Sequence, residues 1–265
     1  QGRLYGKRLV AKTFLNYFQG GIATCACNFG WDMDLILIPG MKFTGWHTGY
    51  GDMHAKPDYN TLRAYPWFDK TVIVLCDTCT EEGDLIDIAP RSILRRQVDR
   101  AHKMGFIPYM ASELEFHLYK ETIDSARMKH YRDLEPLFNY YGDYSIFRTS
   151  MDEWILSIFR RGLSDAGIEV ESIKGEWGFG QVELGVVYQD ALTMADWHMI
   201  VKQGIKEMAA LNGLMATFMA KPSTDDSGSG LHVHARIQHE RHHAPFPGRD
   251  DAACARLPGL LRAVY

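Results

Sequence analysis

Glu113 and Glu115 stand two residues apart in Ala111-Ser-Glu-Leu-Glu-Phe-His-Leu-Tyr119. A strand's period of two puts them on one face with His117 and Tyr119, opposite Leu114, Phe116 and Leu118. Acidic residues are poor strand formers, and like charges side by side on one face repel. A bound cation would remove that repulsion, whereas the solvated face of a half-buried sheet would tolerate it. The strand alone leaves both readings open.

Two further stretches favour the cation. Glu176-Trp-Gly-Phe-Gly-Gln-Val-Glu183 runs a Gly-rich turn into a strand. There Gln181 and Glu183 share a face while Val182 and Leu184 turn to the core, and the glycines permit close approach of a ligand. A lone Gly-x-Gly is weak as a phosphate signature. Lys221-Pro-Ser-Thr-Asp-Asp-Ser-Gly-Ser-Gly-Leu-His-Val-His234 then offers backbone N–H groups in a Ser/Gly loop, followed by His232 and His234 from one face of an alternating strand. Several carboxylates with one or two imidazoles make a hard, oxygen-rich site suited to Mg²⁺ or Mn²⁺ rather than Zn²⁺. Paired divalent ions neutralise phosphate oxygens during phosphoryl transfer. The residues therefore point to a metal-dependent, nucleotide-using enzyme and leave its acceptor open.

These side chains need a sheet and helices to hold them. At 265 residues, with 46% hydrophobic and 23% charged residues, the chain has material for one large domain or two small ones. A net charge of −4 excludes broad nucleic-acid binding through clustered Lys and Arg. No window approaches the roughly 18 apolar residues of a membrane helix, and no signal-peptide pattern follows the basic start. Five cysteines without dense spacing suit the cytoplasm. Cys76-Asp-Thr-Cys79 reads as strand-end cysteines rather than a metal or redox pair, since neither a second C-x-x-C nor a helix start follows.

Residues 1–88 read as short strands and turns, with a domain boundary near residue 89. Beyond it the pattern predicts helices over 92–104, 151–166 and 191–211, and strands over 106–119, 214–220 and 231–237. Gly105 and Asn212-Gly213 act as stops. The fold class is α+β. From 238 the sequence loses periodicity. It includes His239-Glu-Arg-His-His243, an H-E-x-x-H match whose helix Pro245 and Pro247 would cut short.

In their order, these segments resemble the glutamine synthetase family. Ser-Glu-Leu-Glu-Phe, Glu-Trp-Gly-Phe-Gly-Gln-Val-Glu, Ala216-Thr-Phe-Met-Ala-Lys-Pro222 and Gly228-Ser-Gly-Leu-His-Val-His234 carry the likeness, over roughly residues 3–237. The resemblance implies an N-terminal β-grasp domain over 1–89, the first part of the catalytic domain over 90–237, and an unmatched tail over 238–265. It implies ATP-dependent joining of an amine or ammonia to the γ-carboxylate of glutamate through γ-glutamyl phosphate, in the cytoplasm. An intact member would form a homo-oligomeric ring, a dodecamer.

By match to the family's motifs, Glu115, Glu183 and Glu176 would hold the Mg²⁺ or Mn²⁺ on the glutamate side. Glu113 and His232 would hold the ion on the ATP phosphates. Glu171, Tyr188 and His234 would line the nucleotide site, and Gly228 would contact glutamate. Phe43-Thr-Gly-Trp-His-Thr-Gly-Tyr50 lacks the acid that ammonia-using members place there. That departure implies the branch acting on larger amines such as polyamines or alkylamines. The family's later metal glutamate, flap acid and arginines are not recognised in 238–265. The expectation is therefore an impaired chain, with a non-catalytic structural or binding protein as the alternative.

Overall fold

The computed structural model describes residues 2–239. The chain forms two compact units. Of the described residues, the first takes those up to 63 together with 72–106, and the second takes 64–71 together with 107–239.

In the first unit, β1 (Ile22–Cys25), β2 (Asp52–Pro57) and β3 (Cys76–Cys79) form an antiparallel sheet in the order β1-β2-β3. Thr24 pairs with Met53, and Ala55 with Thr78. Buried Met53, Ile86 and Ala89 pack with Phe29 and Phe43. Cys76 and Cys79 lie within β3 as free thiols, and burial pushes the Cys76 thiol up to about 11. Both lie in a strand, as the sequence reading placed them.

Helix α1 (Pro90–Lys103) starts with proline at its first turn, where the missing N–H costs nothing, and carries Arg100, His102 and Lys103 at its C-terminal end. Gly105 follows with φ of 81°, in the left-handed conformation that glycine adopts without strain. The helix is tied to the sheet by charge. Arg91 reaches Asp58 at 2.6 Å and Asp77 at 2.5 Å, and Arg95 reaches Asp77 at 2.8 Å. Compactness accordingly groups α1 with the first unit, beyond the change of texture at residue 89.

The second unit is built on a five-stranded sheet. Strand β4 (Phe106–Tyr119) lies between β6 (Gln181–Asp190) and the edge strand β8 (Leu231–His239). Strand β5 (Val170–Gly175) adds beyond β6, and short β7 (Met215–Thr217) pairs with the end of β4. The expected strand 214–220 is shorter than predicted. The expected helix 151–166 is found as α3 (Glu153–Asp165), and a short helix that was not expected, α2 (Ile146–Met151), precedes it across Asp152. Helix α4 (Ala191–Leu211) has its predicted bounds.

Alternation along β4 supplies the core. Phe116 and Leu118 are fully buried, and Phe116 meets Phe159 of α3 edge-on at 6.1 Å. Leu184, Ile155, Leu163, Ile200, Ile205 and Met208 complete this layer. Residues 64–71 also belong to this unit: the Tyr65 hydroxyl and the Trp67 indole N–H both donate to Glu207 of α4, at 2.6 and 2.8 Å. A Cβ on Gly204 would stand 2.8 Å from the Trp67 ring, so glycine in mid-helix serves this approach.

Arg91 generates a test of the first unit. Burial works against the Asp58 carboxylate, but the Arg91 guanidinium outweighs it and holds the carboxyl below its ordinary value. Stability from a carboxyl lowered on folding is present above its unfolded value and is lost as pH falls through the folded value. Arg91→Ala is expected to lower unfolding free energy by about 2 kcal/mol at pH 7, and by less below about pH 4. Urea denaturation at both pH values measures this; a deficit independent of pH would remove Asp58 from the explanation.

Candidate functional site

Sheet register places three charged residues in a row. Glu115 of β4 is directly opposite Glu183 of β6, which is directly opposite Lys174 of β5. Facing residues on paired strands project to the same side, so two carboxylates and one ammonium share a face. Glu176, just beyond β5, turns its carboxylate onto the Lys174 ammonium, which also lies 3.9 Å from Glu183 and 3.2 Å from Asp143. Burial pushes the Glu183 carboxyl above its ordinary value, with Glu176, Glu113 and Glu115 adding repulsion and Lys174 countering it. Burial disfavours a charged Lys174, yet Glu176 and Asp143 outweigh it and raise its value.

Glu113, one step along the same face, is engaged by both histidines of β8. His232 Nδ1 lies 3.1 Å from one carboxylate oxygen and His234 Nε2 3.2 Å from the other. Hydrogen bonds from His234 and then His232 hold Glu113 below its ordinary value, while Glu113 raises that of His232.

Two sets of ligand atoms result, each with all members within 4.8 Å of one another. One is Glu113, Glu183 and His232; the other is Glu115, Glu176 and Glu183. Glu183 is common to both, so two cations held here would be neighbours. The donors are hard oxygens plus one imidazole, and the raised Glu183 carboxyl lacks full counter-charge. On both grounds the residues fit divalent Mg²⁺ or Mn²⁺. Side-chain exposures of 16% for Glu176 and 13% for Glu183 argue against a merely solvated charged face.

The Ser/Gly loop braces this cluster. Gly230 N–H donates to Glu115 at 3.0 Å, and the Gln181 amide donates to the same oxygen at 2.7 Å and to the Gly228 carbonyl at 2.9 Å. Gln181 in turn accepts from the Gly178 N–H at 2.9 Å, and Asp226 accepts from the Phe179 N–H at 2.9 Å. A Cβ on Gly230 would lie 2.9 Å from Glu115, and one on Gly228 would lie 2.7 Å from the Ala220 carbonyl, so both glycines answer close approach.

His117 and Tyr119 share the acidic face by parity. They are nevertheless buried, with His117 Nδ1 3.0 Å from the Ser229 hydroxyl and the two rings stacked at 6.4 Å.

Of the residues expected at a nucleotide, Tyr188 and His234 come together with ring centroids 6.5 Å apart, and His234 also pairs with Glu113. Glu171 is exposed where β5 shifts register, its carboxylate passing near Gly185, the partner of Glu113. Lys174, Asp143 and Asp226 were missed by sequence reasoning. Lys174 has the same strand parity as Glu176, and that was the available signal. The H-E-x-x-H match lies outside the described residues except for His239, which closes β8 as extended chain.

Gln181 is buried and binds three backbone or side-chain partners, so Gln181→Ala is expected to cost about 2–3 kcal/mol of stability. Urea denaturation measures it, and a loss under about 0.5 kcal/mol would mean the clamp is energetically idle.

A family model described as glutamine synthetase, catalytic domain, matches residues 87–257. The match runs beyond residue 237, where recognisable motifs end, and so takes in most of the tail that sequence reading left unmatched. The chain is 40% identical over 260 residues to a glutamate–isopropylamine ligase from a Pseudomonas species, covering 98% of this chain and 55% of the relative. It is 38% identical to a γ-glutamylethanolamide synthetase from Streptomyces coelicolor, covering 89% and 51%. A crystal structure of a novel glutamine synthase homologue superposes with a TM-score of 0.75 at 22% identity, over 92% of this chain and 55% of that one. The chain thus spans about half the length of the relatives it matches. From the catalytic-domain match, and from the fold it shares with these proteins, the chain belongs to the glutamine synthetase family.

Proposed function

We propose that the chain carries the metal- and nucleotide-binding part of an ATP-dependent ligase. The reaction joins an amine to the γ-carboxylate of glutamate through γ-glutamyl phosphate. The observation that carries this reading is the pair of ligand sets sharing Glu183. Glu115, Glu176 and Glu183 would hold the ion beside glutamate, and Glu113 and His232 the ion beside the ATP phosphates. Divalent ions, when bound, would neutralise phosphate oxygens during transfer. Gln181 fixes Glu115 and the Gly228 carbonyl relative to each other, so the metal side and the glutamate-contacting loop are positioned as one piece. Tyr188 and His234, with Glu171 on β5, the strand beside Tyr188's β6, would line the nucleotide.

The relatives named for isopropylamine and ethanolamide, and the acid-free stretch over 43–50, favour an alkylamine over ammonia as acceptor. In this reading residues 1–89 are a β-grasp domain preceding the catalytic domain, and intact subunits form a ring. Free Cys25, Cys27, Cys76 and Cys79 accord with the cytoplasm, and among the described residues no helix is long and apolar enough to cross a membrane.

Calorimetry of ATP binding to the 265-residue chain, with and without Mn²⁺, tests the reading. The expected result is Mn²⁺-dependent binding that weakens at least about tenfold in Glu113→Ala. Binding indifferent to both metal and Glu113, or none at all, would sink it in favour of a non-catalytic family member.

A further inference from the structure

Lys174 is placed where a cation is wanted. It is opposite Glu183 in the sheet, its ammonium touches Glu176 and stands 3.9 Å from Glu183, and both acids belong to one ligand set. It also has a second resting place. Asp143, a member of neither set, lies 3.2 Å from the ammonium, and the Tyr144 ring centroid lies 4.2 Å from it. An ammonium leaving Glu176 and Glu183 would still have a carboxylate and an aromatic face to hold it.

We infer that Lys174 is a tethered counter-cation of the metal site, a positioning residue that neutralises Glu176 and Glu183 when no metal is bound and moves toward Asp143 and Tyr144 when one binds. This rests on the reading of Glu115, Glu176 and Glu183 as metal ligands. A consequence for selectivity follows from charge alone. Replacing an ammonium by a monovalent ion adds no charge to the cluster, whereas a divalent ion adds one. Lys174 therefore filters against Na⁺ and K⁺ and weakens every metal by the energy of displacing it.

The test is Mn²⁺ calorimetry on the 265-residue chain and on Lys174→Gln, each at low and at high KCl. The expected result is roughly three- to tenfold tighter Mn²⁺ binding in the variant, with K⁺ competing more strongly there than in the parent. A measurement on the unaltered protein guards against a variant that folds poorly. Labelling of Lys174 by an amine-reactive reagent, followed by mass spectrometry, is expected to speed up at least about threefold at saturating Mn²⁺ as the ammonium leaves Glu176 and Glu183.

Equal or weaker Mn²⁺ affinity in a folded variant, or labelling unmoved by Mn²⁺, would overturn the role of Lys174 and leave the metal site standing. If neither protein binds Mn²⁺, the metal reading itself fails and the lysine's role falls with it.

Discussion

Glu115, Glu183 and Lys174 stand directly opposite one another on three adjacent strands, so hydrogen-bond register fixes how far apart their charges can be. Rotamer changes can soften the repulsion between Glu115 and Glu183 but cannot separate their strands. Each neighbouring acid has its own relief: the two histidines for Glu113, an amide and a backbone N–H for Glu115, and the ammonium for Glu176. Glu183 has the least, and it is the residue shared by both ligand sets. The site is arranged around this one under-compensated carboxyl.

Rigidity comes from the other face of the same strands. Phe116, Leu118 and Leu184 alternate with the acids and are buried against α3 and α4, so the core that stabilises the sheet also fixes its charged side. The Ser/Gly loop, by contrast, is held by few and specific bonds. The Gln181 side chain bridges the 178 turn, Glu115 and Gly228, and glycine at 228 and 230 lets the backbone come close to a carbonyl and a carboxylate. A precise sheet and a loop pinned to it by the Gln181 amide, the Gly230 N–H and Asp226 suit a site that must hold ions firmly and admit a substrate beside them.

Much of this was legible because the signals were local. The alternation over 106–119 and the uninterrupted period over 191–211 reproduce β4 and α4 with their observed bounds. The acids and histidines were visible because such residues on half-buried strands conflict with strand preference. What stayed hidden depended on register and loop closure. Lys174 becomes meaningful only once β5 is set against β6, and Asp226 only once its loop folds back over the 178 turn. The short helix α2 escaped because six residues are too few to show an apolar period, while the strand after 214 was overestimated because only three residues find a partner strand.

The segment 64–71 constrains any attempt to separate the two units. It lies in sequence between pieces of the first unit, yet Tyr65 and Trp67 are the partners of Glu207, and the Trp67 ring covers Gly204. A cut at residue 106 would therefore leave the remaining polypeptide with a helix notched for an absent indole and a carboxylate stripped of two donors. The two units are interleaved in the chain, so no single point of division in the gene would separate one from the other.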